Sequence, residues 1–170
     1  MTHVMISISH SWKKCKGKIV VIVSLERIPC PICGGQLFTR GTCQRKAKDS
    51  AGLTTIYQLR VLQCSNCHKT HRELPDFLVP YKRYDAEAIV HIVSTPQTAP
   101  CESRTCDLLR VWLAWFIVYA DHIRESLSLL LSTPLPKWSG KIHLRQLMMR
   151  VRLVANSGNW THNRTEFSCI

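Results

Sequence analysis

Acidic residues are scarce in this chain of 170 residues, which has 11 Asp and Glu against 23 Lys and Arg. The net charge of +12 favours a polyanionic partner, either nucleic acid or an anionic membrane surface, and says nothing about the fold. Glycine and proline are few, at 7 and 8 residues, which excludes collagen-like and low-complexity chains. The sequence shows no repeat with a period of about 20–50 residues, so solenoids and propellers are also excluded.

Long apolar runs are absent as well. The longest uncharged apolar run is Val111–Ala120, about half of the roughly 20 residues that a membrane-spanning helix needs. A shorter run, Ile19–Leu25, follows a basic N-terminus but is not followed by a cleavage site of small residues. Because this run is rich in Val and Ile, we interpret it as a buried β-strand. We therefore expect a cytoplasmic protein without a membrane partner.

The motifs of common catalytic sites are missing. The sequence has no glycine-rich phosphate loop, no G-x-S-x-G motif, and no H-x-E motif to accompany its cysteines. The 11 carboxylates are scattered, and the pairs Asp85 with Glu87 and Glu102 with Asp107 suit the capping of helices. We therefore do not expect an enzyme.

Cysteine, in contrast, is abundant, with nine residues. Four of them form two C-x2-C pairs, Cys30-Pro-Ile-Cys33 and Cys64-Ser-Asn-Cys67. Each pair can form a tight turn, here called a knuckle, and two knuckles complete a tetrahedral site of four thiolates that favours zinc or, less often, iron. We predict one structural Zn²⁺ at this site, because four thiolates leave no position for a catalytic water. Ordinary core cysteines and a redox pair are the alternatives.

Other candidate ligands are less specific. His71 follows the second knuckle and is predicted to donate a hydrogen bond to a zinc-bound thiolate, although such a histidine can also pack or face water. Cys43 falls within a predicted strand. Cys101 and Cys106 are too far apart in sequence to form a knuckle, so we interpret both as structural cysteines.

The periodicity predicts an α+β protein in which a β-hairpin zinc ribbon precedes a helical, helix-turn-helix-like domain. Strands are expected at 36–44 and 54–63 with a polar loop over 45–52, followed by a proline-containing connector over 74–84. Helices are expected from Asp85 to Ser94, from Ser103 through Phe116, again from Asp121, and from His143 to Ala155. The predicted divisions are an N-terminal extension (1–18), the ribbon with its connector (19–83), the helix-turn-helix-like region (84–132), and a basic C-terminal helix and tail (133–170).

The two knuckles and the following THRELPDFLVPYKRYDAEAI resemble a bacterial family of zinc-ribbon proteins found with insertion sequences and classified as a domain of unknown function. The match spans about Ile28 to Ile89, with a weaker match at the C-terminal LVANSGNWTHNRTEF. The ribbon is more loosely similar to the one that precedes the helix-turn-helix of insertion-sequence transposases. By analogy, this resemblance implies DNA binding in a mobile element, as a transposase-like accessory or regulator.

Basic residues indicate where double-stranded DNA would bind. The candidates are Arg45, Lys46 and Lys48 in the hairpin loop, Lys82 and Arg83 in the connector, and Arg104, Thr105 and Arg110 at the start of the second long helix. Residues 28–83 carry nine cations and three acids, whereas residues 84–136 carry three cations and six acids. Residues 137–170 carry six cations and one acid, so the ribbon and the C-terminus are expected to supply most of the phosphate contacts.

Two other functions remain open from the sequence. The ribbon and the Trp-bearing helices could bind a partner protein, such as a transposase, as an adaptor. Alternatively, Tyr81 and Tyr84 could stack on the bases of RNA. The oligomeric state is not indicated by any pattern in the chain.

Overall fold

The computed structural model describes residues 4–8, 10–14, 19–24, 26–130, 132–135 and Leu144. Within these residues the fold is a mixed α+β arrangement, as predicted. The strands are β1 (Val4–Ile8), β2 (His10–Lys14), β3 (Ile19–Ser24), β4 (Leu37–Lys48), β5 (Thr54–Cys64) and β6 (Thr70–Pro75). The helices are α1 (Ala86–Ser94) and α2 (Ser103–Leu130), with a short 3₁₀ helix at Pro96–Thr98 between them.

β5 is the central strand of the sheet and pairs with three other strands. β4 pairs with it in antiparallel fashion from Leu37↔Cys64 to Lys48↔Thr54, so the whole of one edge is occupied. β3, which is parallel to β5, and β6, which is antiparallel, pair with shorter parts of the same strand, so they share its other edge. β1 extends the sheet beyond β6, and β2 extends it beyond β3. The predicted extension 1–18 thus contributes two strands.

The β4–β5 hairpin differs from the prediction at its tip. Residues 45–48 were expected to begin a loop, but they continue β4. Their side chains alternate, with Ala47 buried and Lys46 exposed, which is the pattern of a strand with one covered face. The turn begins at Asp49, whose carboxylate accepts hydrogen bonds from the backbone N–H groups of Ala51 and Leu53. The polar composition of this segment concealed its period of two.

Two apolar clusters form the core. The sheet cluster contains Val20, Ile22, Ala47, Leu59, Leu62, Leu74 and Leu78. Burial of Val20 and Ile22 confirms that the run beginning at Ile19 is a buried strand. The helical cluster joins α1 and α2 through Ile89, Ile92, Trp112, Phe116 and Ile123, among others.

The helices start as predicted but do not stop where expected. Asp85 caps α1 by accepting a 2.7 Å hydrogen bond from the backbone N–H of Ala88. α2 continues without a break to Leu130, so the predicted restart at Asp121 is wrong. The buried residues Phe116, Tyr119, Ala120 and Ile123 keep one helical face in the core across that point. No helix among the described residues is long and apolar enough to cross a membrane.

The predicted C-terminal helix from His143 to Ala155 and the tail that follows lie outside the described residues, apart from Leu144. Leu144 is buried in the helical cluster. After α2 the chain turns back along the helix, because the backbone N–H of Leu135 donates to the Ser128 hydroxyl and Arg124 donates to the Leu135 carbonyl.

We expect Ile89→Ala to lower the free energy of unfolding by about 2–5 kcal/mol, because the side chain is 0% exposed and its removal leaves a cavity. Val118→Ala removes an apolar side chain that is 71% exposed and should change stability by less than about 0.5 kcal/mol. Urea denaturation of both variants measures the difference. Equal losses would contradict the assignment of the helical core.

Candidate metal centre

The two knuckles adopt equivalent backbone turns. The backbone N–H of Cys30 donates to the carbonyl of Gly35 at 2.8 Å, and that of Cys64 donates to the carbonyl of Lys69 at 3.0 Å, five residues ahead in each case. The residue after the second cysteine has a left-handed conformation in both, with φ of +72° at Gly34 and +56° at His68. The shared C-x2-C spacing therefore produces one local structure twice.

The knuckles bring four sulfur atoms together. The Sγ atoms of Cys30, Cys33, Cys64 and Cys67 all lie within 4.8 Å of one another. The Cys30–Cys67 separation is 3.7 Å and the Cys33–Cys64 separation is 3.4 Å. A tetrahedral site with metal–sulfur bonds of about 2.3 Å has sulfur–sulfur edges of about 3.8 Å. All the described cysteines are free thiols rather than disulfides, so these four can hold one metal ion.

The electrostatics of the cluster favour a bound cation. Burial raises the pKa of Cys30 to about 12. Burial also opposes ionisation of Cys64, but hydrogen bonds from the backbone N–H groups of Cys67 and Asn66, together with its cysteine neighbours, lower its pKa to about 6. Four thiolates at these separations repel one another, so full ionisation requires a positive ion among them. Metal binding at this site is therefore expected to release protons.

Gly35 lets the first knuckle approach the second. A Cβ atom at this position would lie 2.9 Å from the Cys64 sulfur and 2.8 Å from the Asn66 side-chain carbon, both closer than real Cβ contacts. A hydrogen bond of 2.9 Å from the backbone N–H of Ser65 to the carbonyl of Gln36 fastens the two knuckles beside this contact. The spacing of the cysteines predicted the four ligands, but nothing in it predicted this contact.

His71 lies against the sulfur cluster. It is on β6 opposite Leu62, its side chain is 0% exposed, and its Nε2 is 3.4 Å from the Cys30 sulfur. This is the position from which an imidazole N–H can donate to a thiolate, the role predicted from the sequence. The tautomer that donates stays a prediction.

Cys101 and Cys106 form a second, smaller sulfur contact. Their Sγ atoms are 3.4 Å apart, between the loop before α2 and the first turns of that helix. Neither cysteine was predicted to have a partner. The signal in the sequence was their separation by five positions at the start of a helix.

Arg45 is engaged within the protein. Its guanidinium donates to the backbone carbonyls of Val79 and Lys82, which lie on the connector. Burial lowers its pKa. Arg45 was predicted to contact nucleic acid from a loop, but it lies on β4 and its guanidinium is bonded to the connector. It is therefore not a candidate for the interface.

The other basic candidates on the sheet and connector divide by exposure. Lys46 and Arg83 are exposed. The Lys82 ammonium lies 5.0 Å from the centre of the Trp112 ring, and burial lowers the pKa of this lysine. The Lys48 ammonium lies 5.9 Å from the centre of the Tyr84 ring. Lys46 and Arg83 are therefore the predicted cations most open to a ligand.

The three candidates on α2 form no basic patch. Arg104 is exposed and Thr105 is half-buried. Arg110 pairs with Asp107 at 3.1 Å on the same helix, which partly neutralises it. In the connector, Tyr84 is 7% exposed, so this ring offers little surface for stacking on RNA bases. Tyr81 is 63% exposed.

Exposed charges between residues 26 and 83 are all positive. The six exposed charged side chains in this range are Arg27, Arg40, Lys46, Lys69, Arg72 and Arg83. The four acids of the range, Glu26, Asp49, Glu73 and Asp76, are buried or half-buried. Four of the exposed cations were not singled out from the sequence, because their exposure depends on which strand face or turn they occupy.

A family model described as a domain of unknown function (DUF6431) matches residues 30–111. The matched range begins at the first ligand cysteine and ends within α2, so it includes both knuckles, the hairpin, the connector and α1. The chain is similar to this family over that range, and the description gives the family no function. Comparisons with curated proteins and with solved structures found no match.

We expect Gly35→Ala to weaken metal binding by about 10- to 100-fold, the range seen when a group supporting the ligands is disturbed. The added methyl group would displace the Cys64 sulfur or the Asn66 side chain. Titration with Co²⁺, followed by thiolate-to-metal absorption, measures the change. Gly41→Ala is the matched control, because a Cβ there meets no atom within 4 Å. Equal affinities for the two variants would contradict the role of Gly35.

Proposed function

We propose that this protein binds DNA through a zinc-ribbon module that one structural Zn²⁺ holds together. The observation that carries the proposal is the uniform sign of the exposed charges between residues 26 and 83, where all six are cations. A surface of one sign attracts a polyanion and releases its counterions on binding. The role proposed is binding rather than catalysis.

Zinc is the proposed metal because of its ligands. Four thiolates in a tetrahedral arrangement are typical of structural zinc sites, and they leave no coordination position for water or substrate. The cluster joins two cysteines that precede β4 to Cys64 at the end of β5 and Cys67 just after it, so the ion would close the open end of the hairpin. Loss of metal would then disorganise this end of the sheet, which carries Arg27, Lys69 and Arg72.

The acids of this region do not cancel the positive surface, because they are used internally. Glu73 accepts two hydrogen bonds of 2.6 Å from the Arg60 guanidinium, and Asp49 caps its own turn. Asp76 is buried. The Arg60–Glu73 ion pair thus holds one acid inside the module, and the charges that remain exposed at its surface are cations.

The helical region is a weaker candidate for contact with DNA. Its exposed charges are four acids, Glu87, Glu102, Asp107 and Glu125, and two cations, Arg104 and Arg110. The connection between α1 and α2, residues 95–102, is longer than the turn of about 3–4 residues in a helix-turn-helix. We therefore place the proposed contacts on Lys46, Arg83 and the other exposed cations of the module, and not on a reading helix.

The setting that we propose, a transposase-like accessory or regulator in a mobile element, rests on the sequence resemblance over residues 28–89. A cationic module suits an accessory that brings another protein to DNA. A second candidate function, a protein-interaction adaptor, is favoured by exposed apolar residues along α2, namely Leu108, Val111, Val118 and Leu129.

Protein purified under reducing conditions should contain one Zn²⁺ per chain. Cys30→Ser and Cys64→Ser should each lose the metal, because each removes one of four ligands. Cys43→Ser is the control, since this half-buried cysteine lies in β4 outside the sulfur cluster. Elemental analysis by mass spectrometry gives the stoichiometry. Metal-free wild-type protein that is folded would contradict the zinc assignment.

Binding to random-sequence duplex DNA should weaken steeply as salt rises. Neutralising Lys46 and Arg83 together, as Lys46→Gln/Arg83→Gln, should reduce the slope of log affinity against log salt by about 1.8, since each phosphate contact contributes about 0.9. The matched control, Arg104→Gln/Arg110→Gln, removes the same charge from α2 and should leave the slope nearly unchanged. Gel-shift titrations at several salt concentrations measure both slopes. No retention of DNA by wild-type protein at low salt would refute the proposed function.

A further inference from the structure

The turn formed by residues 79–82 holds a tyrosine in a conformation that suits glycine. The backbone N–H of Lys82 donates to the carbonyl of Val79 at 3.3 Å and closes the turn. Pro80 occupies its second position, and Tyr81 occupies its third with φ of +59°. A positive φ at this position, after proline, is typical of turns that carry Gly or Asn there.

Neighbouring elements clamp this turn on both sides of the tyrosine. From β4, the Arg45 guanidinium donates to the carbonyls of Val79 and Lys82, which bracket Pro80 and Tyr81. From α2, the Trp112 ring receives the Lys82 ammonium at 5.0 Å. Just beyond the turn, the carbonyl of Arg83 accepts a 2.8 Å hydrogen bond from the backbone N–H of Lys48. The backbone of Tyr81 is therefore held by the sheet and the long helix together.

The side chain of Tyr81 contributes little to this arrangement. It is 63% exposed and lies outside both core clusters. Neither burial nor backbone preference accounts for a tyrosine here, because glycine would adopt the same φ without strain. What tyrosine adds is a flat aromatic face, presented to solvent from a rigid turn.

The surroundings of that face match one kind of ligand. Arg83 is exposed two residues further along, in a part of the chain where all exposed charges are positive. An exposed aromatic ring beside cations is the arrangement with which proteins bind single-stranded nucleic acid, the ring stacking on a base and the cation contacting the phosphate. Paired bases in a duplex are already stacked on both faces and cannot use such a ring.

We propose that Tyr81 is a stacking platform for an unpaired base of single-stranded DNA, with Arg83 contacting an adjacent phosphate. This proposal rests on the proposed function, DNA binding by the cationic module, and specifies the form of DNA that this part of the surface takes. Duplex DNA would engage the cations alone, whereas an unpaired segment would engage the cations and the ring.

The test compares Tyr81→Gly and Tyr81→Phe with wild-type protein on oligothymidine and on random duplex DNA. Tyr81→Gly should bind oligothymidine about 5- to 100-fold more weakly, the range for loss of one stacked base, with duplex affinity unchanged. Tyr81→Phe keeps the ring and should bind both DNAs as wild type does. Fluorescence anisotropy at fixed salt measures all six affinities.

Stability separates this role from a structural one. Tyr81→Gly should raise the urea midpoint or leave it unchanged, because glycine relieves the positive φ. A lower midpoint accompanied by equal losses on both DNAs would mean that the ring supports the fold, and this would overturn the proposal.

Three further outcomes show whether the stacking proposal, the proposed function or both would fail. Wild-type affinity of Tyr81→Gly for oligothymidine, with salt-dependent duplex binding intact, would overturn base stacking and leave the proposed function standing. Oligouridine RNA is measured with the same three proteins as a further probe, and a loss confined to it would overturn the choice of DNA as the stacked strand. Absence of all nucleic-acid binding by the wild type would remove the proposed function and the stacking proposal together.

Discussion

Repulsion among four closely spaced sulfur atoms is the constraint on which the N-terminal half of this structure depends. The backbone turns place the cysteine sulfurs 3.4–3.7 Å apart in the two closest cross-knuckle pairs. Hydrogen bonds from backbone N–H groups favour the thiolate at Cys64, while burial favours the thiol at Cys30. All four cysteines can be thiolates at the same time only when a cation lies among them. The β4–β5 hairpin, both knuckles and the contact of Gly35 with Cys64 are all located at this sulfur cluster.

The sheet and the connector are held by a few side chains that cross between them. Arg45, on β4, donates hydrogen bonds to two backbone carbonyls of the connector. Lys82, in the connector, places its ammonium group over the Trp112 ring of α2. Residues of this kind look in the sequence like surface cations. Their use inside the protein leaves fewer cations at the surface, but the acids of the module are buried or half-buried, so the charges that remain exposed are all positive. This uniform sign favours a polyanionic partner.

The sequence predicted the parts of the site that depend on local spacing. The C-x2-C pairs, the Asp85 cap and the buried strand at Ile19 depend on nearest neighbours and were predicted correctly. The contacts of Arg45 and Gly35 depend on which distant segments meet, and no periodicity contains that information. The extension of β4 was missed because Ala47 is the one apolar residue in Arg45-Lys46-Ala47-Lys48, so the alternation of the strand is hard to recognise. The continuity of α2 was missed because Asp121, a polar residue, lies on the half-exposed face of the helix.

The parallel pairs in the sheet impose an order of assembly on the chain. β4 and β5 adjoin in sequence and need only a short turn to meet, whereas Val4 must find His71 before β1 can pair with β6. Closing so long a loop costs entropy before any contact offsets it. We therefore expect the hairpin with its knuckles to form before β1 joins β6. During synthesis, β1 would have to wait for β6 to emerge before the two strands could pair.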